Sequence, residues 1–128
     1  MPAREDFQYA VIRVVPRVER GEYLNAGVVL FCRRRAFLAA RTVLDAAALA
    51  ALAPGCEPDA VRDHLETLER VAAGDPAGGP IAALERSERF HWLTAPASTV
   101  VQPSPVHTGL TAAPEAELEH LFRRLVAR

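Results

Sequence analysis

Between Phe7 and Leu44 the chain reads as three apolar, β-branched stretches separated only by Arg20-Gly21-Glu22 and by Arg33-Arg34-Arg35. Connections this short leave room for a reversal and nothing more, so the stretches are expected to lie as adjacent antiparallel strands. FQYAVIRVVPRV (Phe7 to Val18) is apolar at both odd and even positions in its middle, the pattern of a central strand covered on both faces. LNAGVVLFC (Leu24 to Cys32) and AFLAARTVL (Ala36 to Leu44) complete a β-meander.

After Leu44 the apolar period changes from that of strands to that of helices. Asp45 is a good N-cap, and Leu44 with Leu49 stands where a hydrophobic staple would, so a short helix is expected up to Pro54-Gly55. A second helix begins near Pro58, with Val61, Leu65, Leu68 and Ala72 as its buried stripe. A Pro/Gly-rich loop (Gly74 to Gly79) leads to a third helical piece from about Pro80, and Thr99 to Gln102 reads as a fourth strand. The segment PSPVHTGLT after it holds two prolines and a glycine, which leaves a loop. A last helix from Pro114 buries Leu118, Leu121, Phe122, Leu125 and Val126, with Glu115 and Glu117 early and Arg123, Arg124 and Arg128 late, as the helix dipole favours. The order β-β-β-α-α-α-β-α points to an α+β fold over residues 1–128 as one domain, its helices packed on one mixed sheet.

Half of the residues are apolar and about a quarter charged, which excludes a disordered or collagen-like chain. The longest apolar runs, Ala26 to Cys32 and Ala46 to Ala53, fall far short of the roughly 18 residues that span a bilayer. The start, MPAREDFQYA, places acids within its first six residues and does not read as a signal peptide, so a cytoplasmic protein is expected.

All fifteen basic residues are Arg, and with the many alanines this fits a GC-rich coding sequence better than selection of each guanidinium. Residues 1 to 41 hold eight Arg against four acids, whereas residues 42 to 95 hold four against nine. The first third is therefore a candidate basic patch, and Arg33 to Arg35 reads either as a solvated turn or as a site for phosphates or an acidic partner. The net charge of −1 and the lack of aromatic residues interleaving the triplet speak against a nucleic-acid partner. Cys32 and Cys56 lie 24 residues apart without a second ligand at zinc spacing, so neither a metal site, a disulfide nor a cofactor is expected.

Three polar features interrupt apolar segments. Arg13 and Arg17 share one face of the first strand and read either as a bidentate anion clamp or as ion pairs with Glu19 or Glu22 across the hairpin. Asn25 precedes Ala26-Gly27, where its amide serves a bulged backbone or a ligand. The third cluster is Arg89, His91, Ser98, Gln102, Ser104, His107 and Thr108, split by Pro96, Pro103 and Pro105. His91 and His107, beside hydroxyls, read either as candidates for acid–base work or as surface or structural histidines. Trp92 is read as core rather than as a stacking platform. No nucleophile elbow, zinc-protease helix or Gly-rich phosphate loop occurs. A two-metal nuclease needs carboxylates on its central strand, where this chain offers Arg13.

Two stretches, YAVIRVVPRVERGEYLNAGVVLFC (Tyr9 to Cys32) and ERFHWLTAPASTVVQPSPVHTGLT (Glu88 to Thr111), resemble the bacterial family called domain of unknown function 3037. The resemblance implies a small cytoplasmic protein whose gene is often found beside a kinase-like protein resembling the HipA toxin. It also implies an Arg between Pro96 and Ser98, where this chain has Ala97, a departure that would weaken an Arg-based site. By this analogy the expected function is a non-enzymatic accessory module binding a protein partner, such as a HipA-like kinase, through the hairpin and the Pro-rich loop, with a homodimer as a further prospect. The competing expectation is a small enzyme or sensor for a nucleotide or phosphorylated metabolite, with Arg13, Arg17 and Arg89 holding charge and His91 or His107 moving a proton.

Overall fold

The computed structural model describes residues 3–127. Three strands form the predicted meander: β1 (Glu5–Val14), β2 (Leu24–Cys32) and β3 (Phe37–Thr42). β1 ends four residues before Val18, because Pro16 has no N–H to give a ladder and Val18–Arg20 closes a tight turn onto Gly21 at φ 69°. Arg17 therefore precedes that turn and is not on the strand with Arg13. Between β1 and β2 the register skips Ala26: Ile12 faces Gly27 and Arg13 faces Asn25, a bulge beside the amide that the sequence singled out.

Four helices follow the expected order: α1 (Ala46–Leu52), α2 (Pro58–Ala73), α3 (Arg86–Leu93) and, last in the chain, α4 (Pro114–Leu125). Asp45 caps α1 by accepting from Ala48 N at 3.0 Å, and Leu44 packs on the same core as Leu49. The stripe Val61, Leu65, Leu68 and Ala72 is buried as predicted, with Val71 beside it. The piece expected from Pro80 is split into a 3₁₀ turn, Pro80–Ala83, and α3. Arg128, placed late in the last helix by the sequence, lies outside the described residues.

The fourth strand is shifted by a residue or two and the proline-rich segment is not all loop. β4 (Val101–Pro103) pairs with Ile12 to Val14, and β5 (His107–Thr111) pairs with Glu5 to Tyr9, so the two short strands share one side of β1. The order is β3-β2-β1-β4, with β5 also on β1, and every pairing is antiparallel, where a mixed sheet was expected. The mixed arrangement would have required a crossover returning parallel, and the chain enters β4 instead from α3 running against β1. The α+β class stands.

The sheet carries two cores. On one face Ala10, Ile12, Val14, Val29 and Phe31 pack with α1, α2 and α3; on the other, Phe7, Val28, Leu30 and Cys32 pack with Leu118, Leu121 and Phe122 of α4. α4 lies over β2 and β3. Among the described residues no helix is long and apolar enough to cross a membrane.

Candidate functional site

Alternation along β1 sorts the predicted residues by face. Tyr9 points toward the α4 side, and His107, directly opposite it on β5, packs its ring 5.2 Å from the tyrosine ring. His91 rides on α3 against the other face. The two histidines are thus separated by the sheet and cannot act on one bond.

Arg89 lies in a different environment from the one its neighbours in sequence suggest. It is only 8% exposed, and its guanidinium donates to the carbonyls of Leu84 (3.0 Å), Val71 (3.0 Å) and Ala72 (2.8 Å). The last two lie in the final turn of α2, where Val71 O also accepts from Gly74 N at 3.1 Å, so Arg89 caps that helix end and is not available to an anion. Burial, aided by the charge of Arg86, lowers its pKa from the usual arginine value. Ser104 is equally structural: its N donates to Val11 O at 2.7 Å and its Oγ accepts from Val11 N at 2.8 Å, joining β4 to β5 across one residue of β1.

The Arg13–Arg17 clamp does not form. Arg17 is exposed, and Glu22 pairs with Arg20 at 2.5 Å, a contact that lowers the carboxyl's pKa through the hydrogen bond first and the charge second. Arg13 instead lays its guanidinium 4.2 Å from the centre of the Tyr23 ring, and no carboxylate pairs with it among the described residues. Its Nε is buried without a partner, as is Oδ1 of its cross-strand neighbour Asn25, whose Nδ2 donates to Leu125 O at 3.1 Å. The amide thus ties the end of α4 to the bulged start of β2. Gln102 donates to Thr99 O at 2.7 Å, and Ser98 is exposed on the loop before it.

What the fold does assemble is a groove. The end of the sheet beyond α3 leaves Gln8 and Thr108 uncovered in one row with Phe31, whose ring packs 5.2 Å from Phe90 of α3. Above this floor an open groove of 960 Å³ runs between α3 and the Arg33–Arg35 turn, and a second recess sharing Gln8, Phe31 and Arg33 continues it to Thr108 and Leu110. Three large apolar side chains that the sheet and helices leave exposed line its walls: Leu84, Trp92 and Val106. Trp92 is 43% exposed and belongs to this wall, not to the core. The buried stripe of α3 is Arg89, Phe90 and Leu93, and Trp92 falls one step off it, which is the signal in the sequence that separates it from the core.

Arg33 stands at the junction of the two recesses, its guanidinium 5.4 Å from the centre of the Phe31 ring and without a carboxylate partner among the described residues. Glu88 adds a carboxylate and His91 an imidazole to the α3 wall. No group of three His, Cys, Asp or Glu side chains among the described residues is placed to hold a metal ion; Cys32 is buried and Cys56 half-buried, both free thiols. Of the residues selected from sequence, the groove gathers Arg33, His91 and, at its far end, Thr108; it adds Gln8, Phe31, Leu84 and Val106, together with Trp92, which the sequence had assigned to the core.

Neither a curated protein nor a solved structure gives a significant match to this chain. A family model does, over residues 9–126, and both stretches that carry the resemblance fall inside it. The chain therefore belongs to the family described as "Protein of unknown function (DUF3037)".

Proposed function

We propose that this protein is a non-enzymatic accessory module that binds a protein partner in the groove between α3 and the Arg33–Arg35 turn. The observation that carries the reading is the convergence of Leu84, Trp92 and Val106 on one groove floored by Phe31. Exposed apolar side chains scattered singly mean little, but a set lining one groove with an aromatic anchor is the usual composition of an interface centre. The chemistry it suits is an apolar segment bearing an acid for the unpaired Arg33. The opposed placement of His91 and His107 argues against acid–base catalysis by that pair.

A HipA-like kinase is the partner we propose to test first, on the strength of the family resemblance, and a cytoplasmic location accords with such a partner. Purified kinase and this chain are expected to co-elute on gel filtration, and Trp92→Ala is expected to weaken the complex by about 2 kcal/mol, roughly thirtyfold. Absence of co-elution at high micromolar concentration would remove the kinase, and a complex indifferent to Trp92→Ala would remove the groove.

One observation favours a second reading, a sensor for an anionic small molecule: the Arg13 guanidinium lies over the Tyr23 ring without a carboxylate partner among the described residues, and its Nε is buried without a hydrogen bond. On that reading inorganic phosphate raises the melting temperature of the wild-type chain and leaves that of Arg13→Gln unchanged. Equal response of the two proteins would dismiss it.

A further inference from the structure

The fold treats the two edges of its sheet differently. At the β3 edge α2 packs alongside, and Glu69 Oε1 accepts from Thr42 N at 2.9 Å and Thr42 Oγ1 at 2.5 Å. Beyond β5, among the described residues, no further strand pairs. Val11 decides which backbone groups of β5 are left over. Its N–H donates to Ser104 Oγ and its C=O accepts from Ser104 N, so both groups turn toward the β4 and β5 side. Direction alternates along an antiparallel strand, so Tyr9, Phe7 and Glu5 turn the same way and bond His107, Gly109 and Thr111. Thr108 and Leu110 are left with N–H and C=O pointing out of the sheet.

Natural edges are blunted by charge, proline, a bulge or a covering element. The segment His107–Thr111 contains no Asp, Glu, Lys, Arg or Pro, and Leu110 is 51% exposed. Only another extended strand matches a row of alternating donors and acceptors.

We infer that β5 pairs antiparallel with β5 of a second copy of this chain, about a two-fold axis at Gly109. The two outward residues sit symmetrically about that glycine, so Thr108 meets the partner's Leu110 and Leu110 meets the partner's Thr108 without any offset. The strand carries no fixed charge, so self-pairing sets no like charges opposite one another. A two-fold axis normal to the sheet keeps α3 on the same side in both copies, and the two grooves then open on one continuous face. The pairing does not depend on what the groove binds.

The test is sedimentation velocity of the full chain across a micromolar-to-millimolar series, with amide hydrogen exchange at both ends of it. The expected result is a monomer–dimer equilibrium in which the Thr108 and Leu110 amides gain protection only as dimer forms. Thr108→Pro removes an outward N–H without touching the ladder to β1, and Leu110→Lys places a typical edge charge opposite Asp6. Each variant is expected to lose the dimer while keeping the circular dichroism of the wild type; should the proline variant misfold, the lysine variant carries the test. A monomer at every concentration, a dimer with those two amides unprotected, or a dimer that survives Leu110→Lys in a folded chain would overturn the inference.

Discussion

Replacing Arg89 by Met is expected to lower stability by about 3 kcal/mol in urea denaturation, with the fold retained. The side chain keeps its length and loses its three hydrogen bonds, which strips the Arg89 donor from the carbonyls of Ala72 and Leu84 and leaves Val71 O with Gly74 N alone. A cost below about 0.5 kcal/mol, the range of an ordinary surface change, would contradict the capping role. The same residue marks where sequence reading stops. Arg89 lies between Glu88 and His91 and groups naturally with them; nothing in that spacing reveals that it turns back 17 positions to close α2. Arg13 is the converse case. Its unusual place in an apolar strand is legible, and its lack of a carboxylate becomes visible only when Glu22 is seen to turn to Arg20.

At the scale of elements, legibility follows the strength of the local signal. β2 is legible with its bounds intact because an uninterrupted apolar run between two polar turns admits no other assignment. α2 is equally plain, with proline at its start, a 3.6-residue stripe and Gly74 in the left-handed region, φ 73°, at its end. β5 escapes because proline and glycine normally break strands. Pro105 lies just before it, and Gly109 is required within it: a Cβ there would stand 2.7 Å from two carbons of the Phe7 ring, so the glycine makes room for that ring on the sheet. Gly109→Ala is accordingly expected to destabilise by about 1–3 kcal/mol through overpacking, measured as a loss in the denaturation midpoint. A neutral result would show that Phe7 can move aside and that β5 is held more loosely than its ladder implies.

Across the whole molecule, one sheet with a helical layer on each face uses most of its apolar surface internally. The second family stretch, Glu88 to Thr111, contributes α3, β4 and β5 in turn and so builds both a wall of the groove and the open edge beside it. Much of that stretch, Arg89 and Ser104 included, secures the framework on which Trp92 and Val106 are displayed. The chain has a single Trp, and it sits in the groove. Fluorotryptophan labelling therefore places one fluorine resonance at the site in question. Titration of the labelled chain with a purified HipA-like kinase is predicted to shift and broaden that resonance as Trp92 passes from half-exposed to buried; a complex that leaves the resonance unmoved, or no complex at all, would contradict the account.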